Sequence, residues 1–355
     1  MEFFKGLKVI ELASVLAGPA VGAFFAELGA EVIKIENKTT LGDVTRKWKL
    51  PAEKKEATSA YYASVNWNKQ VLFLDFSDQN DKQILYDLLP ETDIVISNFK
   101  PSSAKKMEMD YESLKAYNSG LIYAQLTGFG EDSSLPAFDV VLQAEAGFLY
   151  MCGEPGGDPV KMPVALIDIL AAHQLKQGIL MALIKRMKTG QGSYISTSLL
   201  ESAIASLANQ ATNWLMAGHI PQPMGTGHPN IAPYGDIFYS SDDKPIVIAV
   251  GTDLQFQQLC SCLDLQHLST QDRFATNHQR VRNRLILVEF LRPAFNRFPR
   301  EALMAKFNAK GVPAGRVRNM EEVFEIPMAR KMILEETKPD GTHCKSVKTV
   351  AFTLQ

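Results

Sequence analysis

Apolar positions along the stretch from Met162 to Lys188 fall at helical spacing. Leu175, Ile179 and Leu183 recur on one face, Leu180 and Ile184 lie beside them, and a basic cluster is followed by Gly190, an ordinary helix stop. Asp168 stands at the head of this run, where an N-cap is expected. There its carboxylate would meet free backbone N–H groups and the positive end of the helix dipole, a position that suits a structural cap and a held nucleophile equally.

The first 130 residues alternate between two periodicities. Leu7–Leu12 reads as a strand, Pro19–Leu28 as a helix, Glu31–Glu36 as a strand, Val71–Asp75 as a strand, Asp78–Leu89 as a helix, Asp93–Ser97 as a strand, Tyr111–Tyr117 as a short helix and Leu121–Gln125 as a strand. A helix from Phe138 to Gly147, the Asp168 helix, a strand at Tyr194–Ser196 and a long helix over Ser198–Ala217 continue the series. Such alternation predicts an α/β fold, a large Rossmann-like, doubly wound parallel-sheet domain whose ligands gather at the carboxyl ends of the strands. From about Ile220 the texture changes to strands at Asp236–Ser240 and Pro245–Val250 and helices near 254–263, 281–298 and 300–310, a smaller α+β domain. The expected division is 1–218, 219–320, and a segment 321–355 that returns toward the large domain. Arg280, Arg282 and Arg284 have the spacing of an exposed helix face.

Composition narrows the function. The 355 residues carry 37 basic and 39 acidic side chains, a net charge of -2, with no long basic run, so nucleic acid and anionic membrane are not expected partners. No apolar run approaches the roughly 18 residues that span a bilayer, and the N-terminus lacks a signal-peptide core, so the expected address is the cytoplasm. Four scattered cysteines and six dispersed histidines make neither a disulfide framework nor a metal motif, and no metal site is expected.

The opening β-α-β suits a dinucleotide fold with Glu36 at a ribose, but the turn Ala13–Pro19 lacks the Gly-x-Gly-x-x-Gly that lets backbone approach a pyrophosphate. Other strand-end loops carry phosphate-binding groups. Asn98-Phe99-Lys100-Pro101 follows a strand directly, with Lys105 and Lys106 beyond it, and Lys38 and Arg46 follow the Glu36 strand. An aromatic ring beside amide and cationic donors fits an adenine and its phosphates; a solvated basic helix start fits as well.

These residues, together with Ala17-Gly18-Pro19, Leu28–Glu36, Asn68-Lys69, Gly128-Phe129-Gly130, Asp168, Lys188–Gly192 and Gly311–Gly315, resemble the class III (CaiB/BaiF type) CoA-transferase family, which includes formyl-CoA transferase, carnitine CoA-transferases and α-methylacyl-CoA racemases. The resemblance runs nearly the whole chain in order. It implies an enzyme moving CoA from an acyl-CoA to a small carboxylic acid, with no permanently bound cofactor and with coenzyme A as substrate. Asp168 would be the covalent nucleophile, and Val15, Lys38, Leu72, Asn98, Phe99, Lys100 and Lys106 would contact CoA. The loop Met224–Pro229, with Gly225, Gly227 and His228, and Tyr234 beyond it, would form the substrate and oxyanion loop. A domain-linking turn reads equally well there. The resemblance also implies an interlocked homodimer. In its racemase branch a histidine precedes the aspartate matching Asp139; Phe138 stands at that position and carries no proton, which favours transfer over two-base racemisation. Lys100 replaces the family's usual arginine, keeping charge without the bidentate fork.

Overall fold

The computed structural model describes residues 2–354. Contacts divide the chain into two units, one of residues 1–148, 161–220 and 330–355, the other of 149–160 and 221–329. The expected division differs in three places: it put 149–160 with the large domain, began the small domain at 219 rather than 221, and ended it at 320 rather than 329.

The first unit holds a six-stranded sheet of β1 (Lys8–Leu12), β2 (Glu31–Asn37), β3 (Gln70–Leu74), β4 (Ile94–Ser97), β5 (Ile122–Thr127) and β6 (Ser193–Ser198). Its order is β3-β2-β1-β4-β5-β6 and every pairing is parallel. The direction of winding reverses between β1 and β4, so the loops leaving these two strands diverge and open a crevice at their carboxyl ends. Both faces of the sheet are covered, which explains the nearly continuous apolar strands. Val9, Val32, Ile94, Ile96, Ile122 and Ala124 pack on the side of the helices Ala17–Glu27 and Leu166–Thr189. Ile10, Ile33, Ile35, Val95 and Tyr123 pack on the other side, with Leu85 of the helix Gln79–Leu88.

Helix Leu166–Thr189 is the long core element, and it ends where Gly190 takes the left-handed conformation (φ 72°) and gives its N–H to the Arg186 carbonyl. By length and composition it could cross a membrane, contrary to the expectation that no such run exists. Its buried face instead packs on helix Ala17–Glu27, β5 and β6. The expected long helix after Ser198 is two, Leu199–Ala205 and Ala208–Ala217. They part at Ser206, whose hydroxyl turns back onto the Ser202 carbonyl. Strands β10 (Ile333–Thr337) and β11 (His343–Val347) pair antiparallel in the returning segment. That segment is tied to the first unit by hydrogen bonds from Thr58 to Asp340, from Lys338 to the Asn66 carbonyl, and from the Thr349 and Val350 N–H groups to Glu27.

The second unit is built on an antiparallel sheet of β7 (Tyr234–Tyr239), β8 (Pro245–Ala249) and β9 (Ala314–Arg316) in that order. Its core includes Phe238, Ile246, Phe256, Phe295 and Phe307. The expected helix 281–298 is divided at Asn283 into Asn277–Arg282 and Arg284–Phe295. The arginines there do not form an exposed face. Arg280 is fully buried, reaching the Ala232 and Phe274 carbonyls and Asp253, and Arg284 reaches Asp236 and the His228 and Ile231 carbonyls; Arg282 alone of the three is exposed.

A buried network of charges shapes the first turn of the large unit. Glu11 and Lys34 face each other in the register of β1 and β2, and Lys34 Nζ reaches Glu11 at 2.8 Å, Asp43 at 3.1 Å and the Ala13 carbonyl at 2.7 Å. Lys69 Nζ reaches the other Glu11 oxygen at 2.7 Å and the Pro19 carbonyl at 2.8 Å. Gly22 leaves the room this needs: a Cβ there would lie 1.9 Å from Glu11 Oε2. The two lysines respond oppositely. Burial disfavours the charge on both, but two carboxylates outweigh it at Lys34, whose pKa is raised, whereas Lys69 has one shared carboxylate and the repulsion of Lys34, and falls to about 8. Removing one partner strands the others. Lys34→Met is expected to lower unfolding free energy by about 3–5 kcal/mol, because Glu11 and Asp43 lose a buried cation. Urea unfolding tests this, and a loss below about 1 kcal/mol would contradict the network's role.

Candidate active site

Two cavities open at the carboxyl ends of the strands of the first unit. The larger, about 900 Å³, is walled by the ends of β1, β2 and β3 and by Phe76, Phe99 and Ser103, with Lys47, Lys82 and Lys106 as its cations. The smaller, about 170 Å³, is lined by Ser14–Ala17, Asn98–Pro101, Leu126–Gly128, Leu135, Phe138 and Asp168. Ser14 and Phe99 line both, so the loops leaving β1 and β4 at the point of reversal border the two spaces together.

The β1 loop is held against its own preference. Val15 sits at φ 72°, costly for a β-branched residue, and its N–H donates to the Asp43 carboxylate at 3.1 Å. Asn98 clamps the same loop from β4, accepting from the Ser14 N–H and donating to the Ser14 carbonyl at 2.9 Å. Ala13, Val15 and Pro19 are thus each fixed by a buried charged side chain, which places Val15 and Leu16 at the smaller cavity.

Asp168 is not the N-cap. The helix starts at Leu166 with Ala165 as the cap residue, and Asp168 is its third residue. The capping carboxylate comes from Asp139 on the helix Asp139–Glu145. Its Oδ1 accepts the Ile167 N–H at 2.7 Å and the Asp168 N–H at 3.3 Å, and its Oδ2 accepts from Gln143 at 2.6 Å. Among the described residues no group donates to the Asp168 carboxylate, which is 7% exposed and faces the smaller cavity. Burial, and then the negative charge of Asp139, raise its pKa from 3.8 to about 7. The same two carboxylates, after burial, hold the nearby Tyr61 phenol above its ordinary value. A poorly solvated carboxylate half ionised near neutrality is a competent nucleophile, because little hydration must be shed for it to attack.

The residues expected to contact CoA fall into two groups. Val15, Asn98, Phe99, Lys100 and Lys106 line one or both cavities, with Lys100 Nζ donating to the Ser134 carbonyl at 2.8 Å. Lys38 and Leu72 line neither: Lys38 is exposed and paired with Asp81 at 3.1 Å, and Leu72 packs into the core beneath β2 and β3. Glu36 is in the cavity wall, but Arg46, Tyr62 and the Asp43 N–H occupy both its oxygens, so no ribose hydroxyl can use it. Gly225, Gly227, His228 and Tyr234 belong to the second unit. There the Gly225 N–H bonds the Gly153 carbonyl at 2.8 Å, Gly227 bonds Met224 at 3.2 Å, and His228 bonds the Tyr234 carbonyl at 3.0 Å with the two rings edge to face. Among the described residues no His, Cys, Asp or Glu group could hold a metal ion. Sequence reasoning assigned no role to Asp139, Tyr61 or Asp43. The signal for Asp43 was indirect, a lone acidic residue just after a run of turn formers; Asp139 was marked by its match to a family aspartate and its place at a helix start, neither of which shows that it caps the Asp168 helix.

Comparison with known proteins places these features in a family. The family model for CoA-transferase family III matches residues 4–355. The chain is 36% identical to a succinate–glutarate CoA-transferase of Agrobacterium fabrum, covering 97% of this chain and 88% of that one. It is 34% identical to the human succinyl-CoA:glutarate CoA-transferase, covering 91% of this chain and 74% of that one. A crystal structure of a CaiB/BaiF family protein from Brucella suis superimposes with a TM-score of 0.84 at 37% identity, covering 98% of this chain and 92% of that one.

The buried carboxylate has a thermodynamic signature. Because the folded state holds the Asp168 proton more tightly than the unfolded chain does, the stability it contributes is present below about pH 3.8 and is lost as pH rises through about 7. Asp168→Asn cannot lose it. The variant is expected to be more stable than the wild type above pH 7, by up to about 4 kcal/mol, with the gap closing as pH falls toward 4. Denaturant unfolding across this range measures the difference, and a gap independent of pH would refute the assignment.

Proposed function

Since the chain belongs to CoA-transferase family III, we propose that it moves CoA from an acyl-CoA donor to a small carboxylic acid through covalent intermediates on Asp168. The observation that carries the reading is the buried, donor-free carboxylate of Asp168 in a cavity that shares Ser14 and Phe99 with a second one large enough for the nucleotide end of CoA.

In this mechanism a carboxylate oxygen of Asp168 attacks the thioester carbonyl, the C–S bond breaks, and CoA leaves as the thiolate. The thiolate attacks Cγ of the resulting anhydride, forming an aspartyl-CoA thioester and releasing the donor acid. The acceptor carboxylate attacks the same carbon and expels the thiolate, which takes the acceptor acyl group and frees Asp168. A carboxylate is required because only an acid forms mixed anhydrides whose leaving group is itself a carboxylate. The adenosine and phosphates would occupy the larger cavity near Lys47, Lys82 and Lys106, and the thioester would reach Asp168 past Val15, Asn98, Phe99 and Lys100. The start of helix Ala17–Glu27 borders the same cavity and offers positive dipole to developing oxyanions. Gly225, Gly227, His228 and Tyr234 remain the proposed substrate loop. The N–H groups of Gly225, Gly227 and His228 are already bonded, to the Gly153, Met224 and Tyr234 carbonyls, so an oxyanion donor from this loop requires a peptide to turn, which Gly225 at φ 59° permits.

Phe138 lines the Asp168 cavity without any proton to give, which supports transfer rather than proton abstraction. The relatives' names make succinate and glutarate the first acids to test. A homodimer is part of the proposal. Helix Ala208–Ala217 buries no residue, and Trp214, Leu215 and Met216 are exposed on it, a surface suited to a second copy.

Two experiments test the reading. Labelled succinate or glutarate, incubated with succinyl-CoA, glutaryl-CoA or acetyl-CoA, is expected to enter the acyl-CoA pool with ping-pong kinetics, and Asp168→Ala to reduce this by about a thousandfold or more. Tight CoA binding with no label transfer, or wash-in of deuterium at the α-carbon, would refute it. Light scattering is expected to give a dimer, and a mass equal to one chain, 39.3 kDa, would refute that part.

A further inference from the structure

We propose that Asp139 is a positioning residue for Asp168: by taking the N–H groups at the start of the Asp168 helix it deprives the neighbouring carboxylate of donors while setting a like charge beside it. The inference rests on the reading of Asp168 as the nucleophile.

A carboxylate in the first turn of a long helix ordinarily gains from the unpaired N–H groups and the dipole. That gain would make Asp168 a stable anion and a sluggish nucleophile. The geometry gives the gain to another residue. Oδ1 of Asp139 takes the N–H groups of Ile167 and of Asp168 itself, at 2.7 and 3.3 Å. Asp139 is fixed in this task by Gln143, which is 1% exposed, donates to Oδ2 at 2.6 Å, and anchors its own carbonyl oxygen on the Met162 N–H at 2.9 Å. The helix start is therefore capped from outside, by a side chain that lies 29 residues before Asp168 in the chain.

Other charged and titratable groups near Asp168 do not offset this arrangement. Lys100 lines the same cavity, but it is exposed and bonded to the Ser134 carbonyl. Tyr61 is a neutral phenol. From the helices packed alongside, Glu27 lies near Lys176 and accepts from the Thr349 and Val350 N–H groups, and Glu201 closes a capping box with Ser198. On β6, Tyr194 is bonded to Glu131. On the Asp168 helix itself His173 is exposed, and Lys176 lies two turns further along.

A consequence follows for the covalent intermediates. Forming an anhydride or a thioester on Asp168 removes its charge and with it the repulsion from Asp139. The intermediates are therefore stabilised relative to the resting carboxylate, and the unmodified carboxylate is the form raised in energy.

The test compares Asp139→Asn, Asp139→Glu and the wild type in the exchange of labelled acid into its own CoA thioester, measured as kcat/KM against pH, where ionisation of the substrate cancels between enzymes. Removal of the charge in Asp139→Asn is expected to move the acidic limb of the profile down by roughly half to one pH unit, and Asp139→Glu, which keeps the charge, to leave it near the wild-type position. The fraction of enzyme held as covalent adduct at equilibrium is expected to fall roughly three- to tenfold in the asparagine variant. Asp139→Ser, which keeps an oxygen acceptor without the charge, makes the same comparison where the asparagine variant fails to fold. An unmoved limb and unchanged adduct fraction in the neutral variants, with wild-type exchange intact and abolished by Asp168→Ala, would overturn the role of Asp139 alone. Absence of exchange in the wild type, or its survival in Asp168→Ala, would overturn the nucleophile reading and this inference with it.

Discussion

The Asp168 carboxylate is kept out of water at the start of a long helix without the hydrogen bonds that such a position normally supplies. That combination organises the rest of the large unit. The helix must be rigid, so it runs for 24 residues through the core and is closed by a left-handed glycine. Its first N–H groups must go elsewhere, so Asp139 accepts them. The carboxylate must face a space that substrate can reach, so the helix start borders the crevice opened by the reversal of winding between β1 and β4. The stability lost by burying this charge is the ordinary cost of a reactive group.

The buried ions around Glu11 serve the same crevice from the other side. A loop that holds Val15 at positive φ and brings Leu16 and Ala17 to the cavity cannot be kept by van der Waals contacts alone. Lys34 fixes the Ala13 carbonyl, Asp43 the Val15 N–H and Lys69 the Pro19 carbonyl, each from a fully enclosed site. Ion pairs in such places seldom add net stability over well-packed apolar groups. What they supply here is direction: each backbone group has one charged partner, and the loop has one shape.

Much of this was legible in the residues. Two-sided burial of a parallel sheet produces the apolar runs at Val9-Ile10, Val32-Ile33 and Ile94-Val95-Ile96, and helical spacing after Asp168 marked the core helix. The absence of a glycine fingerprint after β1 argued against a dinucleotide, and in the structure Glu36 is occupied by Arg46 and Tyr62. What could not be read depends on groups far apart in sequence. Asp139 caps a helix that begins 27 residues later, and Arg280, spaced like a solvated residue, is drawn inside by the Ala232 and Phe274 carbonyls. Charged residues set among apolar ones, Glu11 in β1 and Lys34 in β2, were a usable sign of a buried pair. Only the register of the two strands shows that they meet.

The proposed transfer depends on a covalent bond to one side chain. Intact-protein mass spectrometry after incubation with a panel of acyl-CoA donors, followed by hydroxylamine trapping and peptide mapping, tests it most directly. The expected result is a CoA-sized adduct that hydroxylamine converts to a hydroxamate on Asp168 and that Asp168→Ala lacks. An adduct mapped to another residue, or measurable CoA binding with no adduct from any donor, would contradict it.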